Sequence, residues 1–407
     1  MMRPVSIICS LGAIVALAFF LSCPSRVEAE SLRATPSLLL EERWDSNVFN
    51  ASDNEVSDFV TRATPRLALS YAVLGDNVVL RGAIELEKHA DRTELDTNTA
   101  TKSLELTTGG PIRLTERFSL TPYARFLETR DTFRRNELTQ LPDAGGIPPE
   151  SLVNVRQKVR EYSGNLQTVY LLTPKLQLGV GAGGNRREFP DETTNLQGSR
   201  SITGNASLNH RFTPVFSSGL YTETTYTSFD SAPNSRIYAG GLTAAYDVTE
   251  NYKVEARAGA GYLRQSTGVG DDTDTDFSPN GRLSITYSKL DFRARLFGNY
   301  EFSGAGSFGK PTKRGNVTAS FTDQFAPRWF WDLAGYYQTN RSTDEQVTED
   351  LVTASGTAGI RYQAATWAIV NLSGNVNRQW SHGVTGTSLK REYIMIGLEL
   401  STTYPVF

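Results

Sequence analysis

Charged side chains recur at every second position in this chain, and that spacing is what could do chemistry. Arg62 and Arg66, Arg81, Glu85 and Glu87, and then Arg125 begin the series. Lys253, Glu255, Arg257, Arg293, Arg295, Glu301, Asp332, Arg391 and Glu399 continue it. A spacing of two puts neighbouring charges on one face of an extended strand. The named groups are nine basic and six acidic, so a bore lined by them leans cationic and raises the local concentration of anions. Pairing across strands, which would only keep the wall wet, competes for the same residues.

Two other constellations invite chemistry. Asp271-Asp272-Thr273-Asp274-Thr275-Asp276 places Asp272, Asp274 and Asp276 at alternate positions, where oxygen ligands could converge on Ca²⁺. The glycine and terminal glutamate of an EF-hand loop are missing, and a solvated acidic loop tip explains the run as well. The histidines His89, His210 and His382 fall at a strand end, beside a short turn and in a long loop, too dispersed for one metal site. None has a Ser and an Asn or Asp in a register suited to nucleophilic catalysis, so no enzyme and no cofactor are expected.

What must position the charges is a set of strands. In Gly241 to Gln265, Tyr252, Val254, Ala256, Ala258, Ala260 and Tyr262 alternate with Lys253, Glu255 and Arg257. Tyrosines close both ends of the apolar face, which fits lipid on one side of the strand and water on the other. Short links separate such segments at Leu114 to Arg117, Thr173 to Lys175, Phe212 to Val215, Val248 to Asn251, Ser288 to Leu290, Thr322 to Arg328 and Gln363 to Thr366. Long links alternate with them: Asp45 to Val56, Ala90 to Asn98, Asp131 to Asn154, Pro190 to Gly198, Asp230 to Ser235, Thr267 to Phe277, Gly304 to Lys313, Ser342 to Glu349 and His382 to Leu389. The fold expected is all-β: a transmembrane, up-and-down antiparallel β-barrel of about 18 strands (roughly 16 to 20), with short periplasmic turns and long extracellular loops. Asp131 to Asn154 is the candidate constriction loop, with Arg134 and Arg135 able to narrow the bore.

Composition agrees. Hydrophobic residues make up 39% of 407, which suits a barrel that gives only alternate residues to lipid. A formal net charge of −3 leaves no excess of Lys and Arg for phosphates, which removes nucleic acid as a partner. Arg3, the apolar run Val5 to Leu21 and the small-residue site Val27-Glu28-Ala29 read as a cleaved signal peptide over 1–29, leaving 30–407 as one outer-membrane barrel domain of a Gram-negative bacterium. Both cysteines, Cys9 and Cys23, lie in the removed piece.

Glu41-Glu42-Arg43-Trp44-Asp45-Ser46-Asn47-Val48-Phe49, with Ser57-Asp58-Phe59-Val60 and Thr64-Pro65-Arg66-Leu67-Ala68-Leu69, resembles the opening of the beta-barrel porin 2 family. That resemblance implies an outer-membrane barrel associated with exopolysaccharide production and export, with exopolysaccharide secretion components as partners. The other partners expected are outer-membrane lipid and the barrel assembly machinery, which reads the last strand. Phe407 is terminal as that machinery requires, but the apolar register from Ile394 to Val406 is the opposite one and Pro405 interrupts it. A porin-like channel for polar or anionic solutes is the first functional expectation. A non-conducting scaffold for a polysaccharide-export or electron-transfer partner and a secreted carbohydrate-binding β protein are the rivals.

Overall fold

The computed structural model describes residues 32–74, 76–130, 158–190, 198–230, 232–266, 273–303, 311–343, 350–382 and 388–405. The strands are β1 (Arg33–Asp45), β2 (Asp58–Val73), β3 (Asp76–His89), β4 (Thr97–Thr108), β5 (Ile112–Arg113), β6 (Phe118–Thr129), β7 (Val159–Thr173), β8 (Leu176–Glu188), β9 (Ser199–Arg211) and β10 (Phe216–Phe229). They continue with β11 (Ser235–Thr249), β12 (Tyr252–Ser266), β13 (Thr273–Lys289), β14 (Phe292–Ser303), β15 (Thr312–Ala326), β16 (Trp329–Ser342), β17 (Asp350–Ala365), β18 (Ala368–His382), β19 (Ser388–Ser401) and β20 (Tyr404–Pro405). β5 and β20 have two residues each, so the wall consists of 18 long strands. Each pairs antiparallel with its neighbours in sequence, and β19 pairs with β1 from Ser37↔Ser401 to Asp45↔Tyr393. The sheet closes on itself, which removes every free edge.

Alternation decides which way each strand faces. Along β2, Phe59 and Leu67 are 53% and 45% exposed on the outside, while Arg62 between them is buried at 1%. The outward face carries aromatic residues near both ends. Phe216 and Tyr226, Tyr252 and Tyr262, and Phe277 and Tyr287 are each about ten residues apart on one strand; at ~3.3 Å per residue and a tilt of about 40° they bracket about 25 Å, the height of an outer-membrane apolar band. At the short-turn end the rings touch in a chain, Tyr287 to Phe292, Phe321 and Trp331, with centroids 5.0 to 5.8 Å apart.

The short turns share one device. Thr115, Thr173 and Thr213 each lie just before a tight turn, and their Oγ1 accepts the N–H of Phe118, Leu176 and Phe216 at 3.0 Å. A threonine hydroxyl that accepts a main-chain N–H three residues on holds the reversal without glycine. Where no threonine serves, the chain takes positive φ instead, at Leu74 (50°), Leu290 (38°) and Arg328 (69°).

Several link boundaries differ from the sequence expectation. β15 runs to Ala326, so Thr322 to Asp323 belong to the wall and the turn is Pro327-Arg328; a register shift between Asp323 and Ala326 had disguised the strand. Asp45 ends β1 rather than opening a loop, paired with Asp58. The candidate loop with Arg134 and Arg135, Asp272 and Phe407 lie outside the described residues.

Candidate functional site: the charged bore

The expected wall residues all fall in the inward register, and most have a partner there. Arg62 Nε donates to Glu87 Oε2 at 3.3 Å and lies 3.6 Å from Glu85. Arg66 stands 3.8 Å from Glu399 across the seam, and Arg81 3.5 Å from Glu105. Lys253 pairs with Glu255 at 2.6 Å, Arg257 with Glu223 at 3.2 Å and Arg314 with Glu301 at 2.7 Å. Asp332 accepts two bonds from Arg361, one at 2.9 Å from Nη2. Arg125 faces Glu105 directly across β4 and β6. Arg293 and Arg295 follow the same face of β14, opposite Thr322 and Ser320.

One sector is built around Tyr221. Its register row runs Tyr221↔Gly241↔Gly259↔Asn280, and its hydroxyl donates to Asn280 Oδ1 at 3.2 Å across two intervening strands. The side chain therefore lies along the wall over two glycines. Arg257 sits on the ring, its guanidinium carbon 3.5 Å from the centroid, and reaches Glu223 with Nη2. Arg282 is the direct cross-strand partner of Arg257 and packs over Phe297, 5.4 Å from its centroid. Two guanidinium groups thus face each other on β12 and β13, a pairing that leaves positive potential on the bore.

The other charged sector straddles the closure seam. Arg391 donates from Nη2 to Asp45 Oδ2 at 2.7 Å and from Nη1 to Asn50 Oδ1 at 2.9 Å, while Arg43 reaches Asp45 at 2.8 Å. Nε2 of His89 is 2.7 Å from Glu87, and its Nδ1 is 3.4 Å from Asp58. The loop after β1 folds over this cluster. Asn47 and Asn50 are fully buried, and Asn47 Nδ2 donates to the carbonyls of Ala51 and Lys390 at 2.7 and 3.0 Å. Just outside it Asp96 accepts the His89 N–H at 2.7 Å and Lys88 Nζ at 2.9 Å, and these bonds hold its carboxyl below the usual carboxylate range.

Between the sectors the bore is amide-rich. Asn299, Asn316, Gln338, Thr353 and Gln379 form one continuous cross-strand row on β14 to β18. The Asp332–Arg361 pair lies on the same face of β16 and β17, nearer the short turns than this uncharged row.

Sequence reading missed several of these groups. Arg43, Asp45, Asp58, Glu161, Arg187, Glu223, Arg282, Arg314 and Arg361 obey the same alternation as the residues it named. Asp45 was hidden by its assignment to a loop, and His89, at the end of β3, is buried at 5%. His210 faces outward against Phe212, with ring centroids 4.7 Å apart. Asp274 and Asp276 lie in β13, where Asp276 is 2.7 Å from Lys313, and Asp272, the third member of the acidic run, lies outside the described residues.

Compared with protein families and with curated proteins, the sequence matches none. Among solved structures it is similar in outline to Pseudomonas aeruginosa OpdK with vanillate, at 10% identity over 91% of this chain and 99% of that one, with a TM-score of 0.46. Pseudomonas aeruginosa OpdL gives 11% identity over 94% and 100%, and Acinetobacter baumannii OccAB3 gives 6% over 92% and 99%, each with a TM-score of 0.46. Sequences so far apart allow no residue of the bore to be carried from one to another.

Proposed function

We propose that this chain is an outer-membrane channel whose bore passes small polar solutes and prefers anions. The observation that carries the reading is the placement of the two charged arcs. In a wall of 18 strands, β12 stands diametrically opposite β2. Around β12 to β15 the inward face holds Lys253, Arg257, Arg282, Arg293, Arg295 and Arg314 against Glu255, Asp274, Asp276 and Glu301, with Glu223 reaching in from β10 and Lys313 paired to Asp276. Around β19 and β1 to β3 it holds Glu41, Asp45, Asp58, Glu85, Glu87 and Glu399 against Arg43, Arg62, Arg66, Arg81 and Arg391. The excess is positive on one side and negative on the other, so a field crosses the bore. A solute with separated polar and charged ends orients in such a field, and the cationic arc raises the local concentration of anions.

The outer-membrane location is supported by the apolar band between two aromatic girdles and by the long-loop, short-turn asymmetry. The leader over 1–29 supplies the export route. The likeness of Glu41 to Phe49 to the opening of the beta-barrel porin 2 family supports solutes connected with exopolysaccharide secretion. Those residues build the seam cluster, so the likeness bears on architecture as much as on cargo. Planar-bilayer recording tests the channel, with the reversal potential under a salt gradient as its readout of ion preference.

A further inference from the structure

Three cationic cross-strand pairs stand on the outer surface of the wall, away from the bore. Arg236 of β11 is directly opposite Arg264 of β12, Arg186 of β8 opposite Arg200 of β9, and Arg378 of β18 opposite Lys390 of β19. All six share the outward register, at the long-loop end. Tyr238 and Tyr262, 44% and 43% exposed, lie two residues below Arg236 and Arg264 on the same face. Like charges directly opposite on a sheet destabilise it, and no packing or bore function explains them there.

Acidic neighbours neutralise only part of this charge. Arg186 pairs with Glu188 at 2.5 Å and Lys390 with Glu392 at 3.0 Å. Arg200, Arg236, Arg264 and Arg378 have no carboxylate within 4.0 Å among the described residues. Arg236 instead packs over the Tyr226 ring, 5.6 Å from its centroid, which holds the guanidinium at the level of the girdle.

We infer that these outward pairs are seats for the phosphate groups of anionic lipid in the outer leaflet. A phosphate between two guanidinium groups turns a repulsive pair into two charge-assisted contacts, and its acyl chains continue down the apolar wall beneath. The tyrosines immediately below mark headgroup depth, which selects a membrane lipid over a dissolved anion. The pairs stand at three separate places on the wall, so they would bind an annulus of lipid rather than one molecule. This inference rests on the membrane-spanning reading of the barrel.

The test uses the full chain inserted into phosphatidylcholine vesicles doped with phosphatidic acid, then extracted into nonionic detergent, with the bound lipid counted by native mass spectrometry. Wild-type protein is expected to retain phosphatidic acid in preference to phosphatidylcholine. The double variant Arg236→Gln, Arg264→Gln should retain fewer phosphatidic acids by the one seat it removes. Replacing all six basic groups with Gln should abolish the preference, about 25-fold at each seat, since each basic group beside an anionic surface is worth about five-fold. The inward double variant Arg257→Gln, Arg282→Gln should retain it. Equal retention by wild type and the outward variant overturns the proposal, as does displacement of the lipid by inorganic phosphate at the same phosphorus concentration. Failure to insert into vesicles at all strikes the membrane-spanning reading instead, whereas insertion without lipid preference strikes only the paired seats.

Discussion

Arg391 of the last long strand grips Asp45 of the first through Nε and Nη2, at 2.7 to 3.1 Å, and both side chains are almost wholly buried. The barrel is therefore closed by a charge clamp laid over the backbone ladder between β19 and β1. Removing one partner of such a buried pair costs about 3–5 kcal/mol, because the survivor remains charged and desolvated. Asp45→Asn or Arg391→Gln should lower the temperature at which the heat-modifiable band converts on a gel. Because Arg43 also reaches Asp45, the triple substitution Arg43→Met, Asp45→Leu, Arg391→Met should be less harmful than either single one. Equal stability of wild type and both single variants would show that the clamp contributes nothing to closure.

The glycines beneath Tyr221 should resist substitution. A Cβ on Gly259 would meet the carbonyl oxygen of Gly240, and one on Gly241 the carbonyl of Ala258, both backbone atoms that cannot move aside alone. Gly259→Ala should cost about 1–3 kcal/mol by overpacking, read in the same gel assay. Gly356 faces open space, and Gly356→Ala should leave the midpoint unchanged or raise it slightly. Matching effects at the two positions would mean that the close approach of β11 and β12 is not what limits the site.

Leu290 offers the opposite change. It holds a left-handed backbone, φ 38°, in the two-residue link between β13 and β14, and its side chain is 98% exposed. A non-glycine residue pays about 1–2 kcal/mol for that conformation and gains no burial in return. Leu290→Gly or Leu290→Asn should stabilise the folded barrel by about 1 kcal/mol in denaturant unfolding from detergent. Destabilisation by both would show that the leucine anchors the turn.

Alternation made most of the wall legible, because a strand with lipid on one side and water on the other has no freedom to place its residues differently. It located Arg62, Glu87, Arg257 and Asp332 on the bore side, and the long and short links gave the strand number. What it could not supply was which charges meet. Arg391 and Asp45 are neighbours only because the sheet closes, and nothing local in either segment records that contact. The loop folded over the seam was equally hidden: Asn47 and Asn50 are ordinary loop residues in the sequence, and their burial follows from hydrogen bonds to β19. Phe302 is a further departure. Alternation sends it outward, yet it packs inside with Ile237 and Leu263, where the pairing of β13 with β14 has already ended at Gly281↔Tyr300.

The cationic arc makes the most direct demand. Purified, folded protein in a planar bilayer should conduct, and under a salt gradient its reversal potential should take the sign of anion preference. Arg257→Gln with Arg282→Gln should shift that potential toward cations while the barrel still migrates as a folded band. No current from folded wild-type protein, or a reversal potential that the double substitution leaves unmoved, would contradict the assignment of ion preference to this pair.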